Sequence, residues 1–312
     1  MDDAKFKKRR DEFKRHGELL AFNLAAVAEA LDTIKTLADE NVGGETVEER
    51  LGEYKSWDPE IFRVDKDTED GYKQRLTERG GRIVLLSEEA GRVDLRPNAT
   101  GPIMYAVSDP FDGSYLFKRG IPDFWYSTLA FYDSNLQPLT CAVGDGVQRN
   151  IGFAGDSGAF IAKLEGEKLV HRFKLDAEYR ELMGRPPVTD ITKASIESYA
   201  MKPKKFLSPL VDEYRGLMEH FKFFLPNGGP YGFVDVAEGK IDCYFARRQP
   251  FVDVFSGILV AQKAGVEVTD FEGNPVSCVD DPETVWDVVA STNPTLHAKV
   301  LEEIAECNAN RT

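Results

Sequence analysis

A mixed α/β fold is predicted by three features of this 312-residue chain: an amphipathic helix near its start, a β-rich middle, and alternating helical and strand-like segments after it. Leu20, Leu24, Val27, Leu31, Ile34 and Ala38 recur every three or four residues, the spacing of one helix face. Between about 82 and 169, runs rich in β-branched and aromatic residues are separated by short turns, as in antiparallel hairpins. After His171 helical and strand-like runs alternate, the texture of a mixed sheet covered by helices. The expected organisation is an α+β half over 1–170 and a mixed α/β half over 171–312.

The elements follow in order. Lys5, Lys7, Lys8, Arg9 and Arg10 are interleaved with Asp2, Asp3, Asp11 and Glu12, so the basic cluster reads as a helix face. The apolar stripe from Leu20 to Ala38 makes the first long helix. Residues 41–59 are polar and rich in glycine and read as a loop, of a length usual for a lid. A second helix is expected over 69–79. Strands are expected over 82–86, 103–107, 125–132, 139–143 and 159–163, with turns at Asp133-Ser134-Asn135 and Gly144-Asp145-Gly146. A helix over 209–224 leads through a glycine-rich turn to the segment 234–245. A short helix follows around Asp253, then a strand over 287–291 and a last helix over 294–306.

Composition narrows the function. A net charge of −14 argues against nucleic acid and against an anionic membrane surface. No apolar run has the length of a membrane span. Cys141, Cys243, Cys278 and Cys307 match no zinc or redox spacing, and four scattered histidines do not suggest a zinc site. With no recognisable signal segment, a reducing cytoplasm is expected.

The chemistry concentrates in Asp109-Pro110-Phe111-Asp112-Gly113-Ser114, at the end of the apolar run 103–107. Pro110 holds Asp109 extended and Gly113 permits an unusual turn, so two carboxylates can converge at a strand end. Converging carboxylates repel unless a cation lies between them, and oxygen ligands select hard cations such as Mg²⁺. The amides of Gly113 and Ser114 then adjoin that charge, available to an anion. Read alone, the same six residues are also an ordinary turn. Two further acidic elements favour metal-assisted phosphate chemistry: Glu88-Glu89 after the run 82–86, and Asp253 within the strongly apolar segment 250–261. Asp253 also reads as a helix cap, a role compatible with metal binding.

In this order and spacing, Glu88-Glu89, Asp109-Pro110-Phe111-Asp112-Gly113-Ser114 and Asp253 resemble the inositol monophosphatase family, within the Mg²⁺-dependent, Li⁺-sensitive superfamily that includes fructose-1,6-bisphosphatase. The resemblance runs from about 65 to 293. It implies a layered α/β/α/β/α sandwich and a site holding two or three Mg²⁺ ions. Glu88, Asp109 and the Phe111 carbonyl would hold one ion, and Asp109, Asp112 and Asp253 the second. Glu88 would border a weaker third position. The Gly113 and Ser114 amides would grip the phosphate. Ser114 and Asp65 would orient the attacking water; Asp67 competes for the Asp65 role, although the separation to Glu88 favours Asp65. A lid over the metals and a homodimer are further implications.

Phe251-Val252-Asp253 departs from the family's usual Trp-Asp. Ala246 stands where relatives often carry a glutamate for substrate hydroxyls, followed by Arg247 and Arg248. That arginine pair reads either as solvated or as a partner for a second phosphate. The expectation is therefore a Mg²⁺-dependent phosphomonoesterase acting on a small soluble ester. The alternatives are a fructose-1,6-bisphosphatase or dual sugar/inositol phosphatase, a nucleotide 3′-phosphatase, and a non-catalytic metal-binding regulator.

Overall fold

The computed structural model describes residues 2–50 and 58–310. Its layers alternate helix, sheet, helix, sheet, helix, as the resemblance implied. The outer helical layer is Glu18–Asp39 with Arg63–Arg79. Leu20, Leu24, Val27, Leu31 and Ile34 are buried in it, as their spacing predicts. The helix Asp3–Phe13 precedes them and inserts Arg9, 1% exposed, against Asp32 at 2.9 Å and the Gly166 carbonyl at 3.0 Å.

Beneath this layer lies an eight-stranded sheet. Its order is Lys168–Leu175, Gly158–Glu165, Asn150–Gly155, Pro138–Asp145, Tyr126–Tyr132, Ile103–Ser108, Arg82–Ser87 and Gly91–Asp94. All neighbours are antiparallel except Arg82–Ser87 with Ile103–Ser108. The parallel pair ends both strands at the same edge, which brings Glu88 and Asp109 to one place. Alternation sorts side chains by face: Ile83 and Leu85 pack under the outer helices, whereas Val84 and Leu86 face the middle layer.

The middle layer consists of three short helices, Gly232–Glu238, Phe251–Phe255 and Ile258–Lys263. Val234, Val236, Phe251, Val254 and Val260 are wholly buried between the two sheets. The second sheet has five strands, in the order Phe223–Leu225, Ser195–Glu197, Cys243–Pro250, Val285–Ser291 and Glu267–Asp270. Ser208–His220 and Pro294–Ala309 close its far face with Leu210, Leu217, Leu296, Val300 and Ile304. The middle core draws residues from both sheets, and 170/171 falls inside the strand Lys168–Leu175.

Several elements differ in extent from their sequence reading. The second helix begins at Arg63 instead of 69, because Asp65 accepts the Phe62 N–H at 2.8 Å and caps the start. The expected loop 41–59 contains the strand Thr46–Glu49, paired with Glu60–Phe62; 51–57 lies outside the described residues. Asn150–Gly155 is an additional strand, and Gly144 belongs to Pro138–Asp145 instead of a turn. The segment 234–245 divides into the end of a helix and the start of a strand, with a turn at Gly239.

Candidate active site

The acid-rich turn grows directly from Ile103–Ser108. Asp109 donates its backbone N–H to Thr128 Oγ1 at 3.0 Å, while the Thr128 N–H donates to the Asp109 carbonyl at 2.9 Å. Asp112 and Tyr126 exchange backbone hydrogen bonds at 3.0 and 2.9 Å. The turn is thus clamped to Tyr126–Tyr132 on both sides of Pro110. Phe111, 1% exposed, drops into the core and meets Phe117 edge-on at 5.5 Å between ring centres. Gly113 has φ 105°, and a Cβ there would lie 2.1 Å from the Phe124 carbonyl oxygen. Only glycine fits that position.

The last position of the turn meets the start of Arg63–Arg79. Ser114 Oγ lies 2.5 Å from Asp65 Oδ1 and 3.1 Å from the Phe111 carbonyl. Asp65 is wholly buried. Asp67 points away, pairing with Arg63 at 3.2 Å on the helix surface. The hydroxyl–carboxylate pair expected from the sequence is therefore formed by Asp65.

Glu88 and Glu89 leave the neighbouring strand Arg82–Ser87. A buried Glu69 fastens their loop, accepting the Ser87 hydroxyl at 2.5 Å and the Ala90 N–H at 3.1 Å. Arg50 binds both Glu89 oxygens through Nε and Nη2 and approaches Glu88 at 3.5 Å. Asp58 bridges Arg50, at 2.8 Å, and Lys202.

Asp253 arrives from the second sheet, in the first turn of Phe251–Phe255. It lines a cavity with Glu88, Asp112, Asp58, Tyr199, Lys202 and Gln249. A larger cavity of about 270 Å³ exposes Ser114, Gly113, Asp112 and Glu88, with Arg50, Tyr199 and Lys202 on its wall. Gly229 closes the floor: a Cβ on it would lie 2.3 Å from Asp112 Oδ2.

The electrostatics describe a site built for cations. Burial, then the charges of Glu88, Asp112 and Asp253, push the Asp109 carboxyl well above the ordinary carboxylate range. Burial and the charges of Asp112 and Glu88 do the same to Asp253. Burial and Glu88 raise Asp112 to about 7. Asp65 is lifted to about 7 by burial, against the opposing hydrogen bond from Ser114. Asp109 Oδ1 is buried with no hydrogen-bond partner among the described residues. A buried, unpartnered carboxylate oxygen among like charges fits a hard divalent cation. Among the described residues no three potential ligands already form a closed metal cage. Part of the acidic set is engaged by Arg50 and Lys202.

The structure thus brings Asp65, Glu88, Asp109, Asp112, Gly113, Ser114 and Asp253 together from both halves of the chain. Ala246, Arg247 and Arg248 lie apart from the cavity walls. Ala246, in the strand Cys243–Pro250, is wholly buried against the middle layer. A register shift between Ala246 and Gln249 turns Arg247 onto Glu213 and leaves Arg248 exposed, with φ 47°. The same shift carries Gln249 to the Asp253 cavity. Glu69, Thr128, Tyr199, Lys202 and Gln249 escaped the sequence reading. Of these, only the Gln249-Pro250 step just before the Asp253 segment offered a signal.

Comparison with known proteins bears on the family and the fold. The family model described as the inositol monophosphatase family matches residues 16–309. A Thermococcus kodakarensis protein named fructose-1,6-bisphosphatase/inositol-1-monophosphatase is 27% identical over 294 residues, covering 92% of this chain and 99% of its own. The chloroplastic phosphatase IMPL1 of Arabidopsis thaliana is 24% identical over 295 residues, covering 91% and 72%. The solved Thermotoga maritima IMPase superposes with a TM-score of 0.69 at 14% identity, covering 95% of this chain and 100% of its own, a likeness of fold.

Proposed function

The chain belongs to the inositol monophosphatase family, a metal-dependent family, and is a phosphoric monoester hydrolase; from that premise we propose that it is a Mg²⁺-dependent enzyme acting on a small soluble phosphate ester. The observation that carries the metal assignment is the unpartnered, buried Oδ1 of Asp109 among Glu88, Asp112 and Asp253. In this reading Glu88, Asp109 and the Phe111 carbonyl hold one ion, and Asp109, Asp112 and Asp253 the other. Bound Mg²⁺ supplies charge to polarise the phosphate, acidify a water and offset the leaving oxygen.

The chain's own residues do the positioning. Ser114 donates its hydroxyl proton to Asp65, which leaves an Oγ lone pair to accept a hydrogen bond from the attacking water. In this reading the Gly113 and Ser114 amides, at the start of the helix Ser114–Lys118, would grip the phosphate. The four cysteines are unpaired, which suits a reducing cytoplasm; the proposal includes that setting and a homodimer.

A bisphosphorylated substrate is the second reading, favoured by one observation. A cavity of about 760 Å³ adjoins the site, lined by Lys202, Lys204 and Lys205 with Asp58, Glu60, Tyr115 and Met201. These ammonium groups line the cavity, whereas Arg247 lies apart from it and pairs with Glu213. The name of the Thermococcus relative includes a bisphosphatase activity. The test is phosphate release from inositol 1-phosphate, fructose 1,6-bisphosphate and a nucleoside 3′-phosphate, each with Mg²⁺ and with EDTA. Release that is equal in EDTA sinks the metal reading; release from none of the esters sinks the substrate class.

A further inference from the structure

Arg50 is the residue that the chemistry above leaves without a role. It follows the strand Thr46–Glu49, and its N–H donates to the Pro59 carbonyl at 2.8 Å, so the hairpin backbone fixes its position. Its side chain is 5% exposed. The guanidinium forks onto both oxygens of Glu89, at 3.0 Å from Nε and closely from Nη2. Nη1 reaches Asp58 Oδ2 at 2.8 Å, and Nη2 stands 3.5 Å from Glu88 Oε1. A permanent cation thus occupies the space between Glu88, Glu89 and Asp58.

Charge counting gives this placement a consequence. Seven carboxylates converge here: Asp58, Asp65, Glu88, Glu89, Asp109, Asp112 and Asp253. Arg50 and Lys202 offset two of them and leave five negative charges. Two divalent ions held among Glu88, Asp109, Asp112 and Asp253 would leave the flanking carboxylates Glu89 and Asp58 to Arg50 and Lys202, which already pair with them. A third divalent ion beside Glu88 would meet the guanidinium at close range in a poorly solvated place, and Glu89 would have no free oxygen for it. Arginine suits this task because its fork matches a carboxylate and its charge is never lost.

We propose that Arg50 is a built-in cation that fills the position between Glu88, Glu89 and Asp58, so that the site binds two divalent ions per chain and not three. The proposal rests on the metal-dependent reading and fixes the ion number within it.

The test counts Mn²⁺ bound to the full chain by equilibrium dialysis with metal analysis, with electron paramagnetic resonance of free Mn²⁺ as a check. The wild type should bind two ions. Arg50→Gln should bind a third, at least tenfold more tightly than any third event in the wild type. Arg50→Lys keeps the charge but loses the fork, so its third event should fall between the two. It serves as the deciding variant if circular dichroism shows Arg50→Gln unfolded. Three comparable ions in the wild type, or a folded variant that stays at two, would overturn the assignment. A wild type that binds no Mn²⁺ would overturn the metal reading itself, a distinct result.

Discussion

The two walls of the cavity are built differently. The wall from the large sheet carries Asp109, Asp112 and Ser114 on a turn clamped by hydrogen bonds of Asp109 and Asp112 to Thr128 and Tyr126 and by a buried Phe111. The wall from the second half adds Asp253 and is otherwise made of a strand bulge, a glycine turn and the segment from Tyr199 to Lys205. The first leaves no freedom at Gly113; the second sets its side chains by one shifted residue at Arg247-Arg248. A reaction that needs fixed charge belongs on the first wall. A substrate choice that varies among relatives belongs on the second.

The sharpest break of that contrast is Asp109→Asn. It removes charge at the centre of the acidic cluster while preserving the shape. Turnover should vanish, together with the Mg²⁺ dependence of thermal stability. An active Asp109→Asn protein would mean that the rigid wall is not where the metals bind.

Ser114→Ala comes next. Its hydroxyl meets Asp65 at 2.5 Å, so kcat should fall by roughly 10²–10⁴ with Mn²⁺ binding retained. Asp65→Asn should behave alike. Asp67→Asn, on the helix surface against Arg63, should stay near wild type. The reverse order in a kcat assay would exchange their roles.

How much of this was legible in the sequence follows the same division. Asp109, Asp112 and Ser114 announce themselves because proline and glycine flank them within six residues, and local turn chemistry is readable locally. Glu69 and Thr128 were not, since each supports the site across 18 or 19 residues, through bonds to Ser87 and Asp109. Gly144 looked like a turn residue, and the strand that holds Gly152 was not expected. They sit in strands because Val27 and Val234 press onto them: a Cβ would approach these valines to 2.7 and 2.8 Å. Arg247 and Arg248 appeared as a charged pair beside the site, but the bulge sends them elsewhere. Bulge position depends on the partner strand Val285–Ser291, about forty residues away, and no local pattern reports it.

The glycine turn offers a third test, on the softer wall. Gly229 has φ 71°, and an added Cβ would lie 2.3 Å from Asp112 Oδ2. Gly229→Ala should therefore displace a proposed ligand from behind and weaken Mg²⁺ binding about 10–100-fold, as other changes to ligand support do. Isothermal titration measures it. Unchanged affinity would show that the turn yields more easily than Asp112.

A smaller effect concerns pH. Asp65 and Asp112 move from 3.8 to about 7 on folding, so between those values the folded chain without metal binds more protons than the unfolded one. Its stability should fall as pH rises through that window. His16, lowered to about 4 mainly by burial, acts in the opposite sense. The informative quantity is thus the difference between melting curves in EDTA and in Mg²⁺. Stabilisation by Mg²⁺ should grow from pH 5 to pH 7.5. A difference independent of pH would mean that these carboxyls do not gather at the metal site.

The smallest expected effect separates the two candidate sources of positive charge on the variable wall. Lys202 lines both cavities and reaches Asp58, whereas Arg247 is 8% exposed and held by Glu213. If a second phosphate is bound, Lys202→Ala should raise KM for fructose 1,6-bisphosphate severalfold and change KM for inositol 1-phosphate less, with kcat nearly constant for both. One exposed charge contact is worth about 1 kcal/mol or less, so a larger change would mean that the ammonium is desolvated in the complex. Arg247→Ala should leave the ratio of the two kcat/KM values alone and lower thermal stability, because it breaks a pair that joins Cys243–Pro250 to Ser208–His220. If instead Arg247→Ala shifts the ratio and Lys202→Ala does not, specificity is transmitted through the strand bulge and not through direct contact. The variable wall would then be set by the packing behind it, much as the fixed wall is.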